Sequence, residues 1–206
     1  MRRFIPLLVL AAATLSACAT TVAPRVRGGP PIALAQVDAD QLRVETIHVE
    51  GTSRVLDRYQ SYRGKDPTFE ERQDPTHPHR DPFIESDFAG TVEWELSDEL
   101  KLCATGERPV TAVVLIDEFH MDERLRSLVD SKGYDTISGV VEFVDPVTDT
   151  VIARYRIRAG TNSGNLLTRV LGDRMMNAAE EFGRALCMEA FGRNPRPPRI
   201  LNSTRG

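Results

Sequence analysis

The chain has 206 residues, 41% of them hydrophobic, with 26 basic and 30 acidic side chains and a formal charge of −4. That length suits one domain around a single core and gives no support for two. The acidic balance lacks the basic face that nonspecific nucleic-acid binding needs, so no nucleic-acid partner is expected.

Two arginines, Arg2 and Arg3, follow Met1, and an apolar run from Phe4 to Ala13 comes next. Leu15-Ser16-Ala17-Cys18 then precedes Ala19. Charged, apolar and small-residue regions in this order form a secretory signal. The apolar run is shorter than the roughly 20 residues that a spanning helix needs. Leu15-Ser16-Ala17-Cys18 resembles the lipobox of bacterial lipoproteins. The resemblance implies cleavage after Ala17, lipidation of Cys18, and anchoring by two or three acyl chains; a single chain holds only marginally. Ala19, in place of an aspartate, points to the outer membrane facing the periplasm. Loss of Arg2 and Arg3 with residues 1–17 leaves 24 basic against 30 acidic side chains, or −6.

Residues 18–40 are read as the lipidated end and a flexible tether, rich in Thr, Pro, Gly and Ala without periodicity. Leu42, Val44, Thr46 and His48 alternate with Arg43, Glu45, Ile47 and Val49, which predicts a first strand over 41–50. Gly51-Thr52-Ser53 ends it. A long polar stretch at 60–84 reads as a mobile loop. Phe88, Val92, Leu96, Leu100 and Cys103 trace one stripe of a helix over 85–103, with Ser86 as its N-cap. Residues 110–119 begin apolar on both faces, as in a central strand. A short helical turn is expected over 123–129. Strands over 137–145 and 150–158 flank Asp145-Pro146-Val147-Thr148-Asp149, a hairpin signal. In the second strand Val151, Ala153, Tyr155 and Ile157 are expected to face the core. Ile152, Arg154, Arg156 and Arg158 are expected to meet water.

A last helix over 163–191 carries Leu167, Leu171, Met175, Ala178, Phe182, Ala185 and Leu186 on one face, the stripe fading at Glu189. Gly192 stops it, and residues 193–206 read as a disordered tail. The order βαβββα predicts an α+β two-layer sandwich: a mixed four-stranded sheet with two helices on one face, spanning 41–192. The stretch 110–191 resembles small α/β domains of uncharacterised envelope lipoproteins. The resemblance rests on Asp145-Pro146-Val147-Thr148-Asp149-Thr150-Val151-Ile152, a glycine-containing link at 160–164 and the long final helix.

Once Cys18 carries lipid, Cys103 and Cys187 remain. An even number of thiols in an exported chain predicts a disulfide between them. Cys187 falls off the centre of its helix stripe, and two free thiols packed as small hydrophobes stay as the alternative. His77, His79, Asp74 and Asp81 are ligand types for zinc or copper. Pro75, Pro78 and Pro82 extend that segment, nothing rigid orients it, and no metal ligand is assigned. Asp117, Glu118, His120, Asp122 and Glu123 cluster at a strand end. Strict alternation sends Asp117 to the face opposite Glu118 and His120, and the group reads as a solvated strand end. Gly160-Thr161-Asn162-Ser163-Gly164 reads as a turn before the last helix, and its amides as an anion site only secondarily. Arg154, Arg156 and Arg158 form either a basic stripe for an acidic partner or the wet side of a sheet.

No hydrolase, transferase or phosphate-loop motif is present, so no catalytic residue and no cofactor is assigned. The sequence is read as a lipid-anchored periplasmic lipoprotein, a non-enzymatic accessory module with a protein partner in the envelope. The alternative is a ligand- or metal-binding envelope protein that uses the 60–84 loop.

Overall fold

The computed structural model describes residues 25–63, 88–121, 134–162 and 174–195. A one-turn helix α1 (Gln36–Ala39) precedes strand β1 (Leu42–Gly51), which leads through Thr52 into helix α2 (Ser53–Arg63). Helix α3 (Phe88–Cys103), strands β2 (Arg108–His120), β3 (Tyr134–Val144) and β4 (Val151–Asn162), and helix α4 (Arg174–Phe191) follow. The sheet order is β1-β2-β3-β4, with β1 and β2 parallel and the other neighbours antiparallel. A parallel pair cannot be joined by a tight turn, and the segment that contains α2 and α3 supplies the crossover. Helices α3 and α4 pack on each other and on one face of the sheet. This is the expected α+β two-layer sandwich.

The helix side of the sheet is built from Val49, Val110, Ala112, Val114, Ile116, Val141, Phe143, Ala153, Tyr155 and Ile157, all buried. Phe88, Val92, Leu96, Leu100 and Cys103 of α3 are buried against that layer, as their spacing predicts. Met175, Ala178, Phe182 and Leu186 of α4 are buried as well. Glu189 is exposed, but the buried surface does not end there, because Ala190 and Phe191 return to the core. Phe191 meets Phe143 edge-on at 5.6 Å.

Helix α4 buries a second face that its stripe did not reveal. Ala179, Gly183 and Cys187 are spaced four apart and are all buried. A Cβ added at Gly183 would lie 3.0 Å from Cβ of Glu99, so the missing side chain is what lets α4 approach α3. The close approach brings Cys187 to Cys103, and the two form a disulfide with Cα atoms 5.8 Å apart. The off-stripe position of Cys187 is thus no obstacle: one face of α4 serves the sheet and another serves α3. Gly192 ends the helix at φ +63°, its amide donating to the Met188 carbonyl at 3.1 Å. The next residue is held, not loose. Arg193 Nη1 donates to the Cys103 carbonyl at 2.8 Å and Nη2 to Asp40 at 2.8 Å.

Three further sequence expectations change. Helix α2 begins two residues after β1 and runs to Arg63, into the stretch read as loop. Its Tyr59 meets Phe88 at 5.3 Å, and Phe88 meets Phe119 at 5.6 Å, all edge-on, which pins α2 over the end of β2. Strand β4 continues to Asn162, so Gly160, Thr161 and Asn162 pair with Thr136, Asp135 and Tyr134 and form no turn. Residues 25–40, read as tether, lie on the folded body, as described below. The stretch 64–84, the turn expected over 123–129 and residues 163–173 lie outside the described residues, as does Ser86.

Candidate functional site

The sheet face turned away from the helices is rich in charged residues and is partly covered by residues 25–32 of the chain itself. Alternation along the strands places Thr46, His48 and Glu50 of β1 on it, with Val113 and Leu115 of β2, Val140 and Glu142 of β3, and Arg154, Arg156 and Arg158 of β4. The expectation that all three arginines meet water fails at Arg154. Its guanidinium Nε lies 2.6 Å from Glu142 Oε1, and the two side chains are 9% and 0% exposed. A carboxylate and a guanidinium removed from water stay charged only when paired and hydrogen-bonded, and here they are cross-strand neighbours.

Glu142 has further donors. The backbone amide of Arg27 reaches Oε2 at 2.9 Å, and that of Gly28 reaches Oε1 at 3.1 Å. Arg154 Nη1 in turn donates to the Pro30 carbonyl at 2.9 Å. Ile32 and Arg154 exchange both main-chain hydrogen bonds, each 2.9 Å, at the outer edge of β4. The Leu34 amide then donates to the Tyr155 hydroxyl at 2.8 Å, on the helix side. Burial raises the Tyr155 phenol above its ordinary 10.0, against the lowering effect of the Leu34 amide. Residues 25–34 therefore form a strap that crosses the polar face, rounds the β4 edge and ends beside α1. An exposed edge strand invites pairing with other chains, and the strap occupies part of this one.

The remaining arginines are neutralised by the acidic cluster at the end of β2. A bulge between Ile116 and Glu118 inserts Asp117 without a partner on β3. Alternation from Ile116 already turns Asp117 outward, and the bulge keeps Glu118 on that same face instead of sending it to the core. Asp117 accepts from both terminal nitrogens of Arg156, that from Nη2 at 3.0 Å, and Glu118 lies 3.7 Å from Arg158. Arg156 and Arg158 of the basic stripe and Asp117 and Glu118 of the acidic cluster are thus ion-pair partners across the sheet. Exposed pairs of this kind contribute about 0–1 kcal/mol each, so they set charge and register more than stability. His120 is exposed at the end of β2.

At the β3–β4 hairpin, Asp145 accepts from Arg108 Nη2 at 2.9 Å and from the amides of Val147 and Thr148 at 3.0 and 3.1 Å. The Arg108 guanidinium first, then these amides, hold its carboxyl down from 3.8 to about 2. Asp149 takes the left-handed conformation at φ 55°, closes the hairpin and pairs with Arg27 of the strap.

Cys18, His77, His79, Asp74, Asp81, Asp122, Glu123, Ser163 and Gly164 lie outside the described residues. Among the described residues no group of three or more His, Cys, Asp or Glu side chains is arranged to hold a metal ion. Among the same residues no helix is long and apolar enough to cross a membrane. What the polar face offers is a buried acceptor and a buried donor aimed at a main chain. Sequence reasoning missed Glu142 and residues 27–32, because nothing local marks a partner more than a hundred residues away.

No protein-family model matches the chain, and no curated protein matches it. Among solved structures it is similar to a PelC dodecamer from Paraburkholderia phytofirmans, at TM-score 0.39 and 9% identity over 79% of this chain and 95% of that one. It is also similar to protein XCC0632 from Xanthomonas campestris, of the family model DUF330, at TM-score 0.33 and 12% identity over 82% and 87%. Similarity this distant says nothing of what this chain binds or does.

Proposed function

We propose that the protein is an exported lipoprotein, anchored through Cys18 in the outer membrane, whose α+β domain acts as a non-enzymatic interaction module in the periplasm. The observation that carries export is the Cys103–Cys187 disulfide, because such bonds persist in oxidising compartments and are rare in the cytosol. The chain has three cysteines. Two pair with each other, and the third stands in Leu15-Ser16-Ala17-Cys18, the position that lipidation requires. The assignment of an interaction module rests on the composition of the polar face, where charges are satisfied by one another and by a main chain.

The test is the intact mass of the protein extracted from membranes. The reading requires a chain that starts at Cys18 and carries a diacylglyceryl group with two or three acyl chains in total. A chain that starts elsewhere, or one with a free Cys18 thiol, overturns it.

A further inference from the structure

The strap is recognised through its main chain. Glu142 holds the amides of Arg27 and Gly28, Arg154 holds the carbonyl of Pro30, and Ile32 pairs with the β4 edge. Between residues 27 and 32, only Arg27 adds a charged contact, to Asp149. Contacts of this type read an extended polypeptide, as in strand addition at a sheet edge. One position is selective. Gly29 sits at φ +123°, and an added Cβ would lie 2.7 Å from Arg154 Nη1, a nitrogen already fixed by the Pro30 carbonyl. Pro30 and Pro31 pre-set an extended backbone, which lowers the entropy lost on docking. The one sequence seen to meet these demands is the chain's own. None of the contacts requires the strap to come from the same molecule, and Ala35 alone lies between it and α1.

We propose that the groove formed by Glu142, Arg154, Tyr155 and the β4 edge is a polypeptide-binding site filled in cis by residues 25–34, and that its partner in trans is the same strap of a second copy. Two chains that trade straps keep every contact, which makes exchange a low-cost route to a dimer. Ala35, the single residue between the strap and α1, is the hinge. This inference stands on the strap contacts and is independent of lipidation.

The test uses two full-length variants, both in a Cys18→Ser background so that lipid does not drive association. Gly29→Val spoils the strap and leaves the groove; Glu142→Gln spoils the groove and leaves the strap. Each alone sediments as a monomer, and an equimolar mixture yields a heterodimer. A synthetic peptide of residues 25–34 binds the Gly29→Val chain at least about tenfold more tightly than the unsubstituted chain, whose groove is already occupied. Absence of both the heterodimer and peptide binding overturns the proposal. Peptide binding without a heterodimer overturns the assignment of a second copy as partner. Should Gly29→Val not fold, hydrogen exchange on the chain with native strap and groove decides. The amides of Arg27, Gly28 and Ile32 exchange about 100-fold faster than the β3–β4 ladder if the strap opens by itself. Exchange only through global unfolding refutes a displaceable strap.

Discussion

Glu142 and Arg154 show how one buried pair organises a polar surface. The carboxylate is fully enclosed, yet it meets a guanidinium and two backbone amides, so its charge is satisfied. Removing one partner strands the other. Arg154→Ala is therefore expected to cost about 3–5 kcal/mol in urea unfolding, the usual cost of breaking a buried pair. A loss below about 1 kcal/mol, the scale of an exposed pair, contradicts the reading. Asp145 belongs to the same scale but reports on acid. Its folded value of about 2 lies below the ordinary 3.8, so its contribution is complete above 3.8 and is lost as the pH falls through 2. Stability should therefore drop as the pH is lowered through that window, and Asp145→Asn should flatten the drop. Acid-series denaturation of both proteins checks this; equal slopes count against it.

At the scale of elements, the contact between α3 and α4 is set by what Gly183 lacks and by what Cys187 forms. The disulfide closes a separation of 84 residues. In the chain-entropy model, that loop corresponds to about 4–5 kcal/mol of stabilisation, which the Cys103→Ala/Cys187→Ala double variant should lose. Calorimetric unfolding midpoints that coincide would remove the bond from the stability account. Gly183→Val presses a branched side chain onto Glu99 and should cost about 1–3 kcal/mol by overpacking, read from the same scans. An unchanged midpoint would mean that the helices part freely.

These elements also mark how far the sequence could be read. The α3 stripe, the central β2 and the hairpin at Asp145 were legible because each is a local pattern of apolar spacing or turn chemistry. Helix α2 was not, since Arg54, Asp57 and Arg58 interrupt its apolar positions and Leu56 stays partly exposed. The partner of Glu142 was also hidden. Counting back from the Asp145–Thr150 closure sets it opposite Ala153, and only the bulge between Phe143 and Val144 moves it to Arg154. The bulge at Asp117 hid Glu118, the acidic partner of Arg158, in the same way.

For the whole molecule, the order of strands and helices followed from the alternation of two periodicities, and the predicted two-layer form is the one adopted. Where the folded body begins did not follow. A run of Val, Arg, Gly and Pro has no period and reads as tether, while its binding to a sheet depends on groups more than a hundred residues further along the chain. The consequence is physical: only a few residues of sequence separate Cys18 from the first described contact, Arg25 with Glu50 at 3.6 Å. An extended chain spans about 3.3–3.6 Å per residue, so the proposed anchor would hold the body within roughly 25 Å of the lipid. The account depends on that attachment. Fractionation of cells that express the native chain or Cys18→Ser tests it most directly. The native chain should sediment with outer membranes and resist salt extraction, and the serine variant should leave that fraction. Equal retention of both would contradict the anchor and the proposed function with it.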